Sequence, residues 1–372
     1  MKIGVPKETA EGERRVALVP DAVRSLSKRD GVEVLVESGA GIAAGHPDDQ
    51  YEEAGATIGS RADALSGDVV LSVAVPAVSE VSEIGSGKVL ISHLAPWTSA
   101  DTNNALAAAG VTAFAMEAIP RTTRAQAMDA LSSQATAAGY SATMIAARES
   151  GRFWGMLTTA AGTIRPAKVL VLGAGVAGLQ AIATAKRLGA IVTGFDIRRA
   201  AWEQIASLGG RPLELEFIPD AEGEGGYARP LTEEENEQVR QALAENAARQ
   251  DVIITTAAIP GRPAPTLITA EAVAGMTPGS VIVDLAAETG GNCELTETGE
   301  TVDSGGVRIV GPTNLPSDLP GHASQLYAKN LENLLGLMIT DEGGLELNFE
   351  DDIIDAACIA HDGEVRGERT AK

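Results

Sequence analysis

Lys168 to Asp196, KVLVLGAGVAGLQAIATAKRLGAIVTGFD, is the stretch whose reading decides the fold. Val169, Leu170, Val171 and Leu172 form an unbroken apolar run, as a strand buried on both faces requires. Gly173, Gly175 and Gly178 follow in G-x-G-x-x-G spacing. Ala181, Ile182, Ala185 and Leu188 recur at helical intervals, and Gly189 stands where that helix should stop. A second apolar run, Ile191 to Phe195, ends at Asp196. The first Gly permits a tight turn and the second lets a diphosphate approach the backbone. The third lets the helix pack on the strand, so that its N-terminus aims free N–H groups at the phosphates. Asp196 stands where a carboxylate accepts hydrogen bonds from an adenosine ribose. Strand, turn, helix, strand and acid in this order read as a dinucleotide-binding unit, not as a glycine-rich turn alone. An anionic Asp196 favours NAD over NADP by repelling a 2′-phosphate. Arg198 and Arg199 follow at once, however, and offer such a phosphate a partner.

Around this unit the chain is long enough for two cores at 372 residues, and 44% hydrophobic content with 3% aromatics makes those cores aliphatic. No apolar run approaches the roughly 20 residues that cross a bilayer, and the N-terminal MKIGVPKETAEGERR lacks the apolar region of a signal peptide. Cys293 and Cys358 alone make no disulfide framework, which fits a reducing cytoplasm. His46, His93, His322 and His361 are scattered, so no metal site is expected. A net charge of −22 without a basic cluster argues against nucleic acid or an anionic membrane as a direct partner. With few lysines, the same charge suits a high-salt cytoplasm or simply an acidic enzyme.

Short apolar runs at Lys2 to Pro6, Val32 to Val36, Val69 to Val75, Val89 to Ser92 and Val111 to Ala115 predict a parallel sheet before the dinucleotide unit. Arg124 to Glu149 reads as one long helix joining two domains, with Gly139 a weak point in it. After the dinucleotide unit, Val252–Ile254, Val281–Leu285 and Arg308–Val310 continue its sheet to about six strands. The segment PDAEGEGGYARP, Pro219 to Pro230, reads as a surface loop or as a lid carrying Tyr227 at its tip. Thr232 and Glu235 form a capping box for a helix to Ala248. A helical run from Gln325 to Leu337 and a strand-like FEDDIIDAACIAHDG end the chain and should dock on the first domain. The expected fold class is therefore α/β, with two Rossmann-like doubly wound domains and a cleft between them. Residues 1–133 with 325–372 make the first domain, and 134–324 the NAD-binding one.

IGVPKETAEGERRVALVP, PRTTRAQAMDALSSQATAAGY, VLVLGAGVAGLQAIATAKRLGA and VDLAAETGGNCE together resemble the NAD(H)-binding component (domain I, the alpha-1 subunit) of proton-translocating NAD(P) transhydrogenases. The resemblance runs over nearly the whole chain. It implies that Arg121, Asp129 and Ser132 orient the nicotinamide end of NAD(H), and that Gln126 reaches towards NADP(H) held by a partner. Tyr227 matches the family's mobile-loop tyrosine. Cofactor contacts are expected at Gly173, Gly175, Val176, Ala177, Gly178, Asp196, Ile197, Arg198, Ala257 and Gly261. The residues alone leave Arg121 and Asp129 an ordinary ion pair at a helix start. The resemblance further implies a homodimer, an NADP-binding subunit and a membrane-spanning subunit as partners, and a cytoplasmic chain attached to the membrane through them. Alanine dehydrogenases share several of these segments and are the alternative. They carry a substrate-binding lysine after the strand matched by Val69 to Val75, where this chain reads SVAVP; Glu288 stands where they have an aspartate. Arg15 and His93 match both groups. A non-catalytic NAD-binding module is the third possibility. Hydride transfer between two nicotinamides needs position and exclusion of water, whereas amino-acid oxidation needs carboxylate binding and proton transfer.

Overall fold

The computed structural model describes residues 1–215, 229, 231–258 and 261–366. They form two compact units, Met1–Gln134 with the chain from Pro316 onward, and Ala135–Leu315.

In the first unit an eight-stranded sheet runs Thr57–Gly59, Glu33–Glu37, Lys2–Val5, Val69–Leu71, Val89–Ser92, Thr112–Ala115, Cys358–His361, Glu364–Val365. The first six pair in parallel, and their order by chain position is 3-2-1-4-5-6, that of a doubly wound fold. The last two strands join antiparallel. Both faces are covered, which is why the central strands Val69–Leu71 and Val89–Ser92 are buried along their whole length. Ile3, Val5, Val69, Leu71 and Phe114 pack with Leu18, Leu26, Tyr327 and Leu331 on one side, and Val70, Leu90 and Ala113 with Val81 and Leu106 on the other.

Three expectations need correction here. The return into this unit comes at Pro316 rather than 325, because Pro320 opens the helix Pro320–Leu335 and Ser317 and Ser324 bond to Arg14, Glu13 and Val16. The strand-like tail is a helix, Asp352–Ala357, before the strand Cys358–His361, since Asp351 caps it by accepting from Ile353 and Ile354. The joining helix starts at Ala130, not Arg124. Asp129 has a non-helical backbone (φ −70°, ψ 86°) and a carboxylate that takes the Ser132 N–H at 2.9 Å, so the helix begins behind it.

The second unit has a seven-stranded sheet in the order Arg211–Pro212, Ile191–Phe195, Lys168–Leu172, Val252–Thr255, Val281–Asp284, Val307–Val310, Thr301–Ser304. Again six parallel strands stand 3-2-1-4-5-6, with an antiparallel seventh. Val169, Val171 and Ile254 face Ala142, Ala146, Ala181 and Ile182; Leu170, Leu172 and Ile253 face Val239, Leu243 and Val273. Gly139 is not a weak point: a Cβ there would lie 2.1 Å from the Ala177 carbonyl oxygen. Its helix is packed so closely on Val176–Arg187 that only Gly fits. The capping box of Thr232 with Glu235 forms as expected at Glu233–Ala247. A separate two-stranded hairpin, Leu157–Thr159 with Gly162–Ile164, is exposed along both strands.

Candidate nucleotide site

The order of the second sheet reverses direction at Lys168–Leu172 and Val252–Thr255, and the loops leaving these two strands meet. Ligands of open α/β sheets bind outside such a point. Gly173 turns the chain at φ +92°, a conformation that favours glycine, and the Thr256 hydroxyl donates to its carbonyl at 3.0 Å. A Cβ on Gly178 would stand 1.9 Å from that same carbonyl oxygen, so the helix Val176–Arg187 reaches the strand only because Gly178 has none. Gly175 differs: a Cβ there meets nothing within 4 Å, and Gly175 and Val176 are exposed. No side chain among the described residues caps this helix, so its first N–H groups remain available to an anion. The three glycines therefore fit a diphosphate cradle, with Val176 and Ala177 in its first turn.

Asp196 ends the next strand at 7% exposure. Its Oδ2 accepts the Ala174 N–H at 2.8 Å, and its Oδ1 the Arg198 N–H at 2.9 Å. The Arg198 side chain grips both oxygens, from Nε at 2.9 Å and Nη2 at 2.8 Å. Ile197 between them is partly buried against the aliphatic core.

Across the site, the wall is built by two residues to which the sequence assigned no role. Asp284, fully buried, accepts from Thr255 Oγ1 at 2.8 Å, Ala286 N at 3.0 Å, Asn292 N at 2.7 Å, Cys293 N at 3.0 Å and Thr296 Oγ1 at 2.7 Å. Asn292 in turn accepts the Ala257 N–H at 3.0 Å and donates to the Ala257 and Pro265 carbonyls, each at 2.8 Å. Ala257 is thus held from both of its backbone polar groups, while Gly261 turns the following loop at φ +70°. Burial pushes the Cys293 thiol up to about 11, so it packs rather than reacts.

In the first unit the segment Arg121–Ser132 is anchored from below. Arg124 pairs with Asp351 and Asp352, Asn330 donates to the Ala127 carbonyl at 2.9 Å, and Ala125 and Met128 are buried. Arg121 and Gln126 are exposed. Asp129 and Ser132 come together, the hydroxyl donating to the carboxylate at 2.6 Å.

Two family models match the chain, "Alanine dehydrogenase/PNT, N-terminal domain" over residues 4–138 and the corresponding C-terminal domain over 142–368. An NAD(P) transhydrogenase subunit alpha chain of Rhodospirillum rubrum is 48% identical over 98% of this chain and 97% of its own length. A crystal structure of transhydrogenase from Sinorhizobium meliloti superposes with a TM-score of 0.90 at 46% identity, covering 98% of this chain and all of that one. The alanine dehydrogenase of Bacillus subtilis is 30% identical over the whole chain and 94% of its own length. The chain belongs to the NAD(P) transhydrogenase subunit alpha family.

Within that family framework, Tyr227 lies outside the described residues. Arg15 and His93, which match both groups, belong to a polar region of the first unit. Glu13 accepts Arg15 Nε at 2.8 Å and Nη2 at 2.6 Å, Gln134 takes Arg15 Nη1 at 2.9 Å, and Ser317 donates to Glu13 at 2.6 Å. His93 stacks on Tyr327 with ring centroids 5.0 Å apart. Where this chain reads SVAVP, Glu8 accepts the N–H groups of Val73 at 2.6 Å and Ala74 at 3.1 Å. Burial pushes Glu8 up to about 7 despite those bonds, whereas the Arg15 guanidinium overcomes burial and holds Glu13 down at about 2.

The signs of these two shifts differ. The contribution of Glu13 is present above its ordinary value of 4.5 and is lost only as pH falls towards 2. Glu8 stabilises the fold most below 4.5, and that contribution is lost as pH rises through 7. Between pH 5 and 8 Glu8 should therefore lower stability, by at most about 3 kcal/mol. A melting temperature that falls over this range in the parent and is flatter in Glu8→Gln is the expected result of thermal circular dichroism.

Proposed function

We propose that this chain is the NAD(H)-binding subunit of a proton-translocating NAD(P) transhydrogenase and takes part in direct hydride transfer to NADP⁺ on a partner subunit. The observation that carries this reading is the chain-long 48% identity to a transhydrogenase subunit alpha, joined to a glycine cradle intact in its geometry. When bound, NADH supplies the hydride. Gly173, Gly175 and Gly178 hold the diphosphate with the N–H groups of the helix start, Asp196 accepts from the adenosine ribose, and the Ala257 loop forms the facing wall. Arg121, Asp129 and Ser132 orient the nicotinamide end, with Gln126 directed at the partner's nucleotide. No proton moves at the reacting carbon, so these residues are asked to position and to keep out water.

Proton movement belongs to other subunits. Among the described residues no helix is long and apolar enough to cross a membrane, and attachment at the cytoplasmic face runs through those partners. The subunit itself is a homodimer in this reading. Support comes from the hairpin Leu157–Ile164, which carries no charge although the chain carries −22, and which exposes Leu157 and Ile164 beside Phe153 and Met156. An isolated two-stranded hairpin is marginal in water unless something covers it.

The alternative amino-acid dehydrogenase reading meets two obstacles in the first unit: Arg15 is gripped by Glu13, and no lysine follows the strand Val69–Leu71 in SVAVP. The test is reconstitution. With an added NADP-binding, membrane-linked partner, NADH oxidation should appear, and light scattering of the subunit alone should read twice 38.2 kDa. Efficient oxidation of alanine by the isolated chain would replace this reading with the alternative.

A further inference from the structure

The Asp196 carboxylate is saturated. A carboxylate offers about four lone-pair directions, and four N–H groups occupy them. Two are backbone donors, Ala174 in the glycine turn and Arg198 at the strand exit. These cannot leave without unmaking the turn. The other two, Nε and Nη2, belong to the single guanidinium of Arg198. That side chain is 20% exposed, against 7% for Asp196, so it has a way out to solvent.

A ribose 2′,3′-diol brings two hydroxyl donors. It can bond Asp196 only where a lone pair is freed, and the guanidinium covers just two. We propose that Arg198 is a latch on the adenosine-ribose subsite and the residue that sets its discrimination between a 2′-hydroxyl and a 2′-phosphate. This rests on the NAD(H) reading of the site. With the latch closed, the competent state is a fraction of the population, and apparent NADH affinity falls by that fraction. With the latch open, the guanidinium stays tethered two residues from Asp196 as a planar cation suited to a phosphate. Neighbouring Arg199 lies over the Trp202 ring at 5.9 Å, and Trp202 donates to the Asp196 carbonyl at 3.0 Å. Arg198 therefore weakens NADH and helps NADPH, narrowing the preference that a bare Asp196 would impose.

Calorimetric titration of the full chain with NADH and NADPH tests this in the parent, Arg198→Ala and Arg198→Lys. In Arg198→Ala, NADH should bind about 5–10-fold tighter and NADPH at least about 10-fold weaker, so that the ratio of the two constants widens roughly 100-fold. Arg198→Lys keeps the charge and the aliphatic stem, hence the fold, but loses the fork. It should retain NADPH affinity within about 3-fold and tighten NADH less than Ala does. An unchanged NADH-to-NADPH ratio in both variants, with the parent binding NADH normally, overturns the latch alone. Looser NADH binding by a Lys variant with the parent's melting temperature does so too. A parent chain that binds no NADH overturns the NAD(H) reading and the latch with it.

Discussion

Gly178→Ala should lower the stability of the second unit by about 3 kcal/mol and raise the NADH dissociation constant about 100-fold or more, whereas Gly175→Ala should weaken NADH alone. The two glycines lie in one motif yet differ in what surrounds them. A methyl on Gly178 falls 1.9 Å from the Gly173 carbonyl oxygen and 3.0 Å from Thr256 Oγ1. The nearer atom is backbone in a turn already fixed by the Gly173 N–H to Phe195 O bond of 2.8 Å, so the helix must lift off the strand. Lifting it displaces the first-turn N–H groups from the phosphates, and two charge-assisted hydrogen bonds lost account for the affinity change. Gly175 has φ −74°, which any residue adopts, and its added methyl meets no protein atom within 4 Å. That methyl stands instead where the diphosphate must run. Melting curves and NADH titrations of both variants separate the cases. Parent-like NADH affinity in Gly175→Ala would mean that the diphosphate does not cross that turn.

The contrast between these glycines also marks how far sequence reasoning reaches. Spacing alone located the strand, turn and helix, because the apolar period of Val169–Leu172 and the later helical intervals are local properties. The inner strands of both sheets were legible by the same logic, as unbroken apolar runs such as Val69–Leu71, Val89–Ile91, Val252–Ile254 and Val281–Val283. Thr57–Gly59, Arg211–Pro212 and Thr301–Ser304 were not, since none of them holds a run of apolar residues. Gly139 reads as a defect in a helix until Ala177 is placed beside it, and no pattern within residues 124–149 contains that contact. Asp284 and Asn292 were likewise silent. Apart from the hydroxyls of Thr255 and Thr296, their partners are backbone N–H and C=O groups up to 35 residues away, and a backbone group has no sequence signature. The signal that was available, a lone Asp ending the apolar run Val281–Val283, is the same one that singled out Asp196. Asp196 itself was correctly placed at its strand end, but its saturation by Arg198 is visible only in three dimensions.

Gln126→Asn should slow hydride transfer in the reconstituted complex about 100-fold while leaving NADH affinity within about 2-fold. Gln126 opens the short turn Gln126–Met128, and its side chain is exposed between the buried Ala125 and Met128. Ala125 and Met128 are buried on either side, Arg124 is pinned by Asp351 and Asp352, and Asn330 holds the Ala127 carbonyl. An amide on so firmly held a turn serves poorly as a structural residue: the described backbone bonds of the turn do not use its side chain. It serves well as a fixed pair of donors and acceptors presented to a ligand from outside. Shortening the side chain by one methylene withdraws the amide by about 1.5 Å without changing its chemistry. Misplacement on this scale costs about two orders of magnitude when catalysis is mostly positioning. Because the proposed adenosine and diphosphate contacts are made by residues of the second unit, NADH binding should barely respond. Arg121→Ala, by contrast, should lower both affinity and rate, since Arg121 is assigned to the nicotinamide end of the same NADH. Stopped-flow transfer and equilibrium titration on the same preparations read the two quantities apart. A Gln126→Asn variant that transfers at the parental rate removes the residue from the reaction. One that loses NADH affinity in step with rate moves Gln126 from the partner's nucleotide to the chain's own.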